Sequence, residues 1–252
     1  MKLSTVLLYS TIDFRWIKEC LESASKISTE VVLSSCDKLW NGQEENKNLL
    51  DKTKDIVSSF PNVKSISVKW QPGYKHFFWE SQCRTQAILS VSEDCDYILF
   101  LDTDEIVNVK RFKDWIETEE YKLYDSMKLA NYWYFREKKH RAKQIEDSVV
   151  LAKKDLIVKD NKMLIPVLAA GREQYHELIN CNKKRMILGT DEHPMIDHYS
   201  WVRTKEEMIQ KVVSWGHNND KNWIDMIEEE FSREFNGKCF VNNYTFDRLN
   251  ND

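Results

Sequence analysis

The stretch Tyr97-Ile98-Leu99-Phe100-Leu101-Asp102-Thr103-Asp104-Glu105 decides the fold prediction, because an unbroken apolar run ends abruptly at carboxylates spaced i and i+2. Such a run is typical of a strand buried on both faces of a sheet. The chain therefore leaves the sheet where the charges begin, and its acids face the crevice in which open α/β sheets bind ligands. Carboxylate oxygens suit Mg²⁺ and Mn²⁺, and Mg²⁺ is usually held by one or two carboxylates together with substrate phosphates. Asp102 and Asp104 are therefore predicted to form a metal–diphosphate clamp.

Strand and helix patterns alternate along the chain before this stretch. The predicted strands are Leu3 to Tyr9, Glu30 to Leu33 and Val63 to Trp70, and the predicted helices are Phe14 to Ser25, Gln43 to Phe60 and about Phe77 to Val91. This alternation predicts a mainly parallel sheet with right-handed crossovers. The carboxyl ends of its strands, which carry Tyr9-Ser10, Asp37 and Asp102, are therefore expected to converge.

The second half lacks the regular alternation of strand and helix patterns, and we expect it to complete and cover the sheet. It begins with an amphipathic segment from Val109 to Glu119 and continues with aromatic runs and mixed strands to about Leu188. Thr204 and Glu207 have the spacing of a capping box, and Gly216 is predicted to end the helix that they begin. A further helix is expected from about Trp223 to Phe235.

The composition excludes several classes of protein. The 252 residues suffice for one large α/β domain with a substantial core. A net charge of −4 with interspersed signs argues against a nucleic-acid partner. The six cysteines form no Cys-x-x-Cys pair, which favours reduced thiols and a cytoplasmic location. No transmembrane segment is predicted, because no stretch approaches the roughly 20 apolar residues that span a bilayer.

Several of these features together resemble the GT-A-fold glycosyltransferases, particularly family 2-like members. They are a first βαβ unit, Asp37 after the second strand, Arg84 on the helix before the fourth strand, and Asp102-Thr103-Asp104 after that strand. The resemblance covers about Met1 to Glu105. The first loop, Tyr9-Ser10-Thr11, departs from the family because it lacks the common Arg-Asn or Arg-Asp-Glu pattern.

A later segment extends the resemblance. His198-Tyr199-Ser200-Trp201-Val202-Arg203, followed by a capped helix ending at Trp215-Gly216-His217, looks like the closing segment of some family 2-like transferases. The segment departs from the family because no clean Glu-Asp base motif precedes the final helices.

The resemblance implies a single α/β domain over residues 1–252. Its GT-A-type, Rossmann-like sheet would be mainly parallel and flanked by helices, with a mixed acceptor-side half and C-terminal helices. Residues 1–108 would bind the nucleotide sugar, and residues 109–252 would form the acceptor side. The implied activity is metal-dependent transfer of a hexose or pentose from a nucleotide-diphosphate sugar to a hydroxyl of a glycan or other acceptor. Donor base, sugar, acceptor, linkage and oligomeric state stay open, because no short motif encodes them.

The resemblance also implies roles for the metal-site residues. Asp104 would ligate Mn²⁺ or Mg²⁺ directly, and Asp102 would bind it through water or contact the donor ribose. His198 is the third candidate ligand, since neutral imidazole binds Mn²⁺, and His193 is a lesser candidate. The alternatives are that the two acids only open a loop and cap the next helix, and that His198 is a hydrogen-bonded core residue.

The donor-binding candidates are Tyr9, Ser10, Asp37, Arg84 and Arg203. Asp37 would accept a hydrogen bond from the nucleotide base, while Arg84 and Arg203 would pair with base carbonyl or diphosphate oxygens. For either arginine, the alternative is an ordinary surface salt bridge.

An inverting reaction needs a carboxylate within hydrogen-bond reach of the acceptor hydroxyl, whereas a retaining reaction needs no such base. Glu173 is the first candidate and Asp191 the second. The remaining candidates are Glu146, Asp147, Glu177 and Glu192.

Two other functions compete with glycosyl transfer. A sugar-nucleotide pyrophosphorylase also uses an α/β sheet and metal carboxylates, but it normally carries a Gly-rich loop after the first strand, and Tyr9 to Asp13 contains no glycine. A non-catalytic module that binds a nucleotide sugar or a glycan would keep the same fold. The presence of both Asp102 and Asp104 argues against the module.

Overall fold

The structure is a computed structural model that describes residues 1–165, 171–214, 218 and 220–249. The predicted helix end at Trp215-Gly216-His217 lies outside the described residues. The strands are Leu3–Tyr9 (β1), Glu30–Cys36 (β2), Val63–Val68 (β3), Tyr97–Asp102 (β4), Glu105–Val107 (β5), Ser126–Phe135 (β6), Glu137–Lys153 (β7), Val158–Lys159 (β8), Lys162–Met163 (β9), Lys183–Ile187 (β10), Ile196–Trp201 (β11) and Phe246–Arg248 (β12). The helices are Phe14–Ile27 (α1), Lys47–Ser58 (α2), His76–Leu89 (α3), Val109–Glu117 (α4), Glu173–Glu177 (α5), Lys205–Ser214 (α6) and Trp223–Phe231 (α7).

One large sheet organises the fold, in the order β3-β2-β1-β4-β7-β6-β11-β5, with β10 beside β6 and β12 beside β7. The first four strands run parallel to one another. Beyond β4 the sheet is mixed, because β7 is antiparallel to both β4 and β6 while β11 is parallel to β6. The expected combination of a mainly parallel first half and a mixed second half is confirmed.

The sheet is covered by helices on both faces, which explains why the residues of β1 and β4 are buried without alternation. On one face, α1 contributes Trp16, Ile17 and Leu21 to the largest core cluster, as its helical spacing predicts. On the other face, Ala87 and Ile88 of α3 pack in a second cluster. The helices α1 and α3 therefore belong to separate core clusters on the two faces of the sheet.

Two helix starts illustrate how local sequence sets the boundaries. The structure begins α2 at Lys47, later than the predicted Gln43, because the side chain of Asn46 caps the helix by accepting from the Leu49 N–H at 3.2 Å. The capping box before α6 is confirmed: the Glu207 N–H donates to Thr204 Oγ1 at 3.3 Å, and the Thr204 N–H donates to Glu207 Oε2 at 2.8 Å.

The aromatic run in β6 divides between the two faces of the sheet. Trp133 and Phe135 pack in a C-terminal aromatic cluster with Trp201, whereas Tyr134 belongs to the core on the opposite face. Among the described residues, no helix has both the length and the apolar character that crossing a membrane requires.

Candidate active site

The carboxyl ends of β1 and β4 border a cavity of about 210 Å³. The loop after β2 contributes Trp40 to its wall, and α6 contributes Lys211. The cavity therefore lies at the sheet edge where ligands bind in open α/β folds. Its lining residues are Leu8, Tyr9, Ser10, Asp13, Trp40, Glu80, Arg84, Asp102, Asp104, His198, Ser200 and Lys211.

The acidic loop that joins β4 to β5 is anchored to its neighbours on both sides. The Thr103 hydroxyl donates to the Leu8 carbonyl oxygen at 2.6 Å, and the Tyr199 N–H donates to the Asp104 carbonyl oxygen at 2.8 Å. Both aspartates of this loop line the cavity. The Asp102 side chain is 34% exposed, whereas that of Asp104 is 4% exposed.

Asp104 lies among three basic groups. Its Oδ2 is 3.2 Å from Nζ of Lys211 and 3.5 Å from Nη2 of Arg203, and its Oδ1 is 3.6 Å from Nε2 of His198. Burial alone would raise the pKa of this carboxyl, but the charges of Lys211, His198 and Arg203 outweigh burial and hold its pKa well below the ordinary value. Asp104 therefore stays anionic in the neutral pH range.

Asp102 is held by two arginines. Its Oδ1 accepts from Nη2 of Arg84 at 2.9 Å, and its Oδ2 lies 3.4 Å from Nη1 of Arg172. Burial acts to raise the pKa of Asp102, and the charges of Arg172 and Arg84 more than offset it, so the pKa is lowered. Each Asp102 oxygen thus has a guanidinium partner.

His198 reaches the cavity from β11, and its backbone pairs with Glu105 of β5. Its side chain is 14% exposed. His193, the lesser candidate ligand, lies outside the cavity lining, and its Nδ1 is 3.0 Å from the Tyr132 hydroxyl. The structure therefore brings the first histidine to Asp104 and leaves the second apart.

Asp104 and His198 are spaced to share a divalent cation. Asp104 Oδ1 and His198 Nε2 are 3.6 Å apart, which suits two ligands at about 2.1 Å from one shared ion. The described residues contain no group of three or more histidine, cysteine or acidic side chains arranged to hold a metal. The pair fits a cation that takes its other ligands from water and substrate phosphates, which is the usual arrangement for Mg²⁺.

Tyr9 and Ser10 both line the cavity, but their side chains already have protein partners. The Tyr9 hydroxyl lies in the core, 2.6 Å from Oγ1 of Thr53, and burial raises its pKa. The Ser10 hydroxyl donates to Oε1 of the buried Glu45 at 3.0 Å. Tyr9 therefore offers its backbone to the cavity rather than its hydroxyl.

Asp37 and Arg203 lie just outside the cavity lining. Asp37 is exposed at the end of β2, where its Oδ1 accepts from the Trp70 N–H at 2.7 Å. Arg203 has a fully buried side chain that pairs with Asp13 and donates to two backbone carbonyl oxygens at 2.8 Å each. Arg203 thus joins Asp13, which lines the cavity, to the backbone next to it.

None of the candidate bases lines the cavity, Glu173 included. Glu173 is exposed and begins α5, directly after Arg172, which contacts Asp102. Asp191 accepts from Nε of Arg111 at 2.6 Å and does not line the cavity. The remaining candidates also lie outside the lining: Glu146, Asp147, Glu177 and Glu192.

The architecture that carries this cavity has counterparts among solved structures. S. aureus TarS, residues 1–349, aligns over 94% of this chain and 74% of that chain, with a TM-score of 0.51 and 16% identity. The same part of TarS in complex with UDP-GlcNAc aligns over 92% and 72%, with a TM-score of 0.50 and 18% identity. This chain has a GT-A-like fold.

Other comparisons add little to this GT-A-like assignment. No family model matches the sequence, and no curated protein matches it. The 4-diphosphocytidyl-2C-methyl-D-erythritolsynthase of Anaerococcus prevotii DSM 20548 gives a TM-score of 0.43 at 9% identity, over 82% of this chain and 95% of that chain, which is too weak to bear on the fold. At these identities the likeness to TarS concerns the fold alone.

Within the GT-A-like fold, Lys211, Arg172 and Glu105 are charged residues of the site whose roles were not predicted from the sequence. Lys211 lines the cavity, Arg172 binds both Asp102 and Glu105, and Glu105 itself has a fully buried side chain. Glu105 directly follows the Asp-x-Asp pattern, so its position was a usable signal. The two basic residues carried no local signal, because Arg172 stands before a short helix and Lys211 within an ordinary amphipathic one.

Proposed function

We propose that this protein is a metal-dependent glycosyltransferase that moves a sugar from a nucleotide-diphosphate sugar to a hydroxyl group of a glycan or other acceptor. The observation that carries the proposal is the gathering of Asp104, His198, Arg84 and Lys211 around one cavity. An anionic and an imidazole ligand suit a cation, and two basic side chains suit diphosphate oxygens. The GT-A-like fold supports the proposal, since TarS has been solved with UDP-GlcNAc.

Asp104 and His198 would hold the proposed cation, Mn²⁺ or Mg²⁺. When bound, it stabilises the negative charge that grows on the diphosphate leaving group. Asp102 would contact the cation through water or accept a hydrogen bond from a donor ribose hydroxyl, because its two oxygens are already paired with Arg84 and Arg172.

The remaining donor contacts follow from the same cavity. Arg84 and Lys211 bind diphosphate oxygens, and Ser10 lies beside them at the end of β1. Asp37 accepts from the nucleotide base at the end of β2. Arg203 would not contact the donor itself. Its contacts with Asp13 and Asp104 would orient both carboxylates.

For the catalytic base of an inverting reaction we propose Glu173, ahead of Asp191. Glu173 does not line the cavity, but it directly follows Arg172, which ties the start of α5 to the acidic loop through Asp102 and Glu105. Asp191 is engaged with Arg111. A cytoplasmic location belongs to the proposal, since the six cysteines are free.

The test is incubation of the purified protein with Mn²⁺ and a panel of nucleotide sugars, measured by release of the nucleoside diphosphate. The enzyme proposal expects slow donor hydrolysis, and a thermal-shift panel of UDP, GDP, CDP and TDP identifies the base. NMR of the product anomer then separates inverting from retaining transfer. His198→Ala is expected to abolish Mn²⁺-dependent turnover, and His193→Ala is the matched control because its side chain lies outside the cavity lining.

Three outcomes contradict the proposal. Binding of a nucleotide sugar without turnover indicates a binding module. Formation of a nucleotide sugar from a sugar phosphate and a nucleoside triphosphate indicates a pyrophosphorylase. Turnover that is equal with Mn²⁺ and with a chelator present refutes the metal dependence.

A further inference from the structure

Glu105 is a fully buried carboxylate directly behind the cavity, and the proposed reaction does not use it. Arg172 pairs with both of its oxygens. The Asp102 N–H donates to Oε2 at 2.9 Å, and the Ser148 hydroxyl lies 3.3 Å from Oε1. A buried carboxylate with this many donors is fixed in place.

The other side of His198 faces this carboxylate. Nδ1 of His198 is buried and has no hydrogen-bond partner among the described residues, and it lies 3.9 Å from Glu105 Oε1. On the opposite edge of the ring, Nε2 lies 3.6 Å from Asp104 Oδ1. The imidazole therefore stands between two carboxylates, one behind the cavity and one lining it.

A cation shared by Nε2 and Asp104 would select one tautomer of the ring, because the ligating Nε2 must present its lone pair. The Glu105 oxygen that accepts from Arg172 favours the same tautomer, since it attracts an N–H on Nδ1 and repels a lone pair there. A proton on Nδ1 leaves the lone pair on Nε2, which points towards Asp104 and the cavity. Histidines that ligate metals commonly donate their other N–H to a carboxylate in this way.

We propose that Glu105 is a positioning residue that keeps Nδ1 of His198 protonated, so that Nε2 is free to ligate the cation. The inference rests on the proposed function, because it concerns the same cation. It assigns Glu105 a role distinct from that of the two preceding aspartates, since Glu105 acts through His198 and does not contact the cation.

A polar scaffold from β6 and β7 explains how the carboxylate is held. Oδ1 of the fully buried Asn131 accepts from the Ser148 N–H at 3.0 Å, at a point where the register of β6 and β7 shifts. The Ser148 carbonyl oxygen in turn accepts from Nε of Arg172 at 2.9 Å. Irregularities of this kind often re-aim side chains beside active sites, and here the shift directs Ser148 at both Arg172 and Glu105.

The first experiment uses the unaltered protein in complex with Mg²⁺ and inorganic pyrophosphate, which is common to every nucleoside diphosphate. Long-range ¹H–¹⁵N NMR of His198, assigned with a His198→Ala sample, reports which ring nitrogen carries the proton. The inference expects the proton on Nδ1. A proton on Nε2 overturns it, and this measurement does not depend on whether any Glu105 variant folds.

The second experiment measures Mn²⁺ binding by EPR in the presence of pyrophosphate. Glu105→Gln is expected to weaken Mn²⁺ binding about 10- to 100-fold, the usual effect of removing a residue behind a metal ligand. The double variant Glu105→Gln/His198→Ala should bind no more weakly than His198→Ala alone, because Glu105 acts through that ring. The matched control is Glu230→Gln, which removes another buried carboxylate paired with an arginine, Arg136.

The two hypotheses fail in different ways. If the unaltered protein does not bind Mn²⁺ with pyrophosphate, the proposed function fails and the role of Glu105 fails with it. If the unaltered protein binds and His198→Ala weakens binding, but Glu105→Gln binds normally, only the role of Glu105 is overturned. Additive losses in the double variant also overturn it.

Discussion

Asp104→Asn is the substitution for which the structure gives the sharpest expectation, because it separates stability from binding. Removing one partner of a buried ion pair costs about 3–5 kcal/mol. Arg203 keeps Asp13 and its two carbonyl partners, so the loss falls mainly on Lys211, whose side chain is 13% exposed. We therefore expect the low end of that range, about 3 kcal/mol, which lowers the Tm of a chain this size by about 10 °C.

The double variant Asp104→Asn/Lys211→Met gives the decisive comparison. With both charges removed, no uncompensated ammonium is left near the cavity, so about 1–2 kcal/mol of the lost stability should return. Binding of Mn²⁺ with pyrophosphate should not return, because both groups are proposed to contact the cation or the diphosphate. Urea unfolding and isothermal titration calorimetry measure the two quantities on the same samples.

The pH dependence of the same variant provides an independent check. The pKa of Asp104 is lowered in the folded protein, so its contribution to stability is complete above the ordinary aspartate pKa and is lost as pH falls through the folded-state pKa. The difference in unfolding free energy between the unaltered protein and Asp104→Asn should therefore shrink as the pH falls below about 4. Equal unfolding free energies at pH 7, or restored binding in the double variant, would refute the reasoning.

Two further predictions concern glycines. A Cβ at Gly171 would lie 2.8 Å from Oε2 of Glu173, so Gly171→Ala should displace that carboxylate and lower kcat about tenfold with little change in Tm. Glu173→Gln should lower kcat by about 10²–10⁴. An unchanged kcat in both variants would show that Glu173 is not the base. Gly42 and Gly237 share nearly the same φ, +85° and +84°, but a Cβ at Gly42 would lie 2.6 Å from the Trp70 ring whereas nothing lies within 4 Å at Gly237. Gly42→Ala should therefore cost about 1–3 kcal/mol more than Gly237→Ala in urea unfolding, and equal losses would show that Trp70 moves aside freely.

The predictable part of this molecule is the part that local pattern encodes. The apolar run of β4 ends at Asp102 as predicted, because burial on both faces requires continuous apolar residues and the first charge marks the sheet edge. The capping box before α6 was also predictable from the sequence, because its two hydrogen bonds join residues three positions apart. In both cases the decisive interaction lies within one element.

The contacts of the candidate site could not be predicted in the same way. Arg172 is separated from Glu105 by 67 positions, and Lys211 is separated from Asp104 by 107. No periodicity links such residues, because their meeting depends on the packing of whole elements. Asp37 illustrates the converse: its position at the end of β2 was predictable, but the pairing of its carboxylate with the Trp70 N–H depends on how the chain leaves β3.

These long-range ion pairs also explain why the two sequence halves act together. The acidic loop belongs to the first half, yet Arg172, Arg203 and Lys211, three of the basic groups that face it, come from the second. A fragment ending near residue 108 would leave Asp104 and Glu105 without these partners, and burying unpaired carboxylates is costly. The acidic loop therefore cannot take its observed arrangement before the second half of the chain has folded.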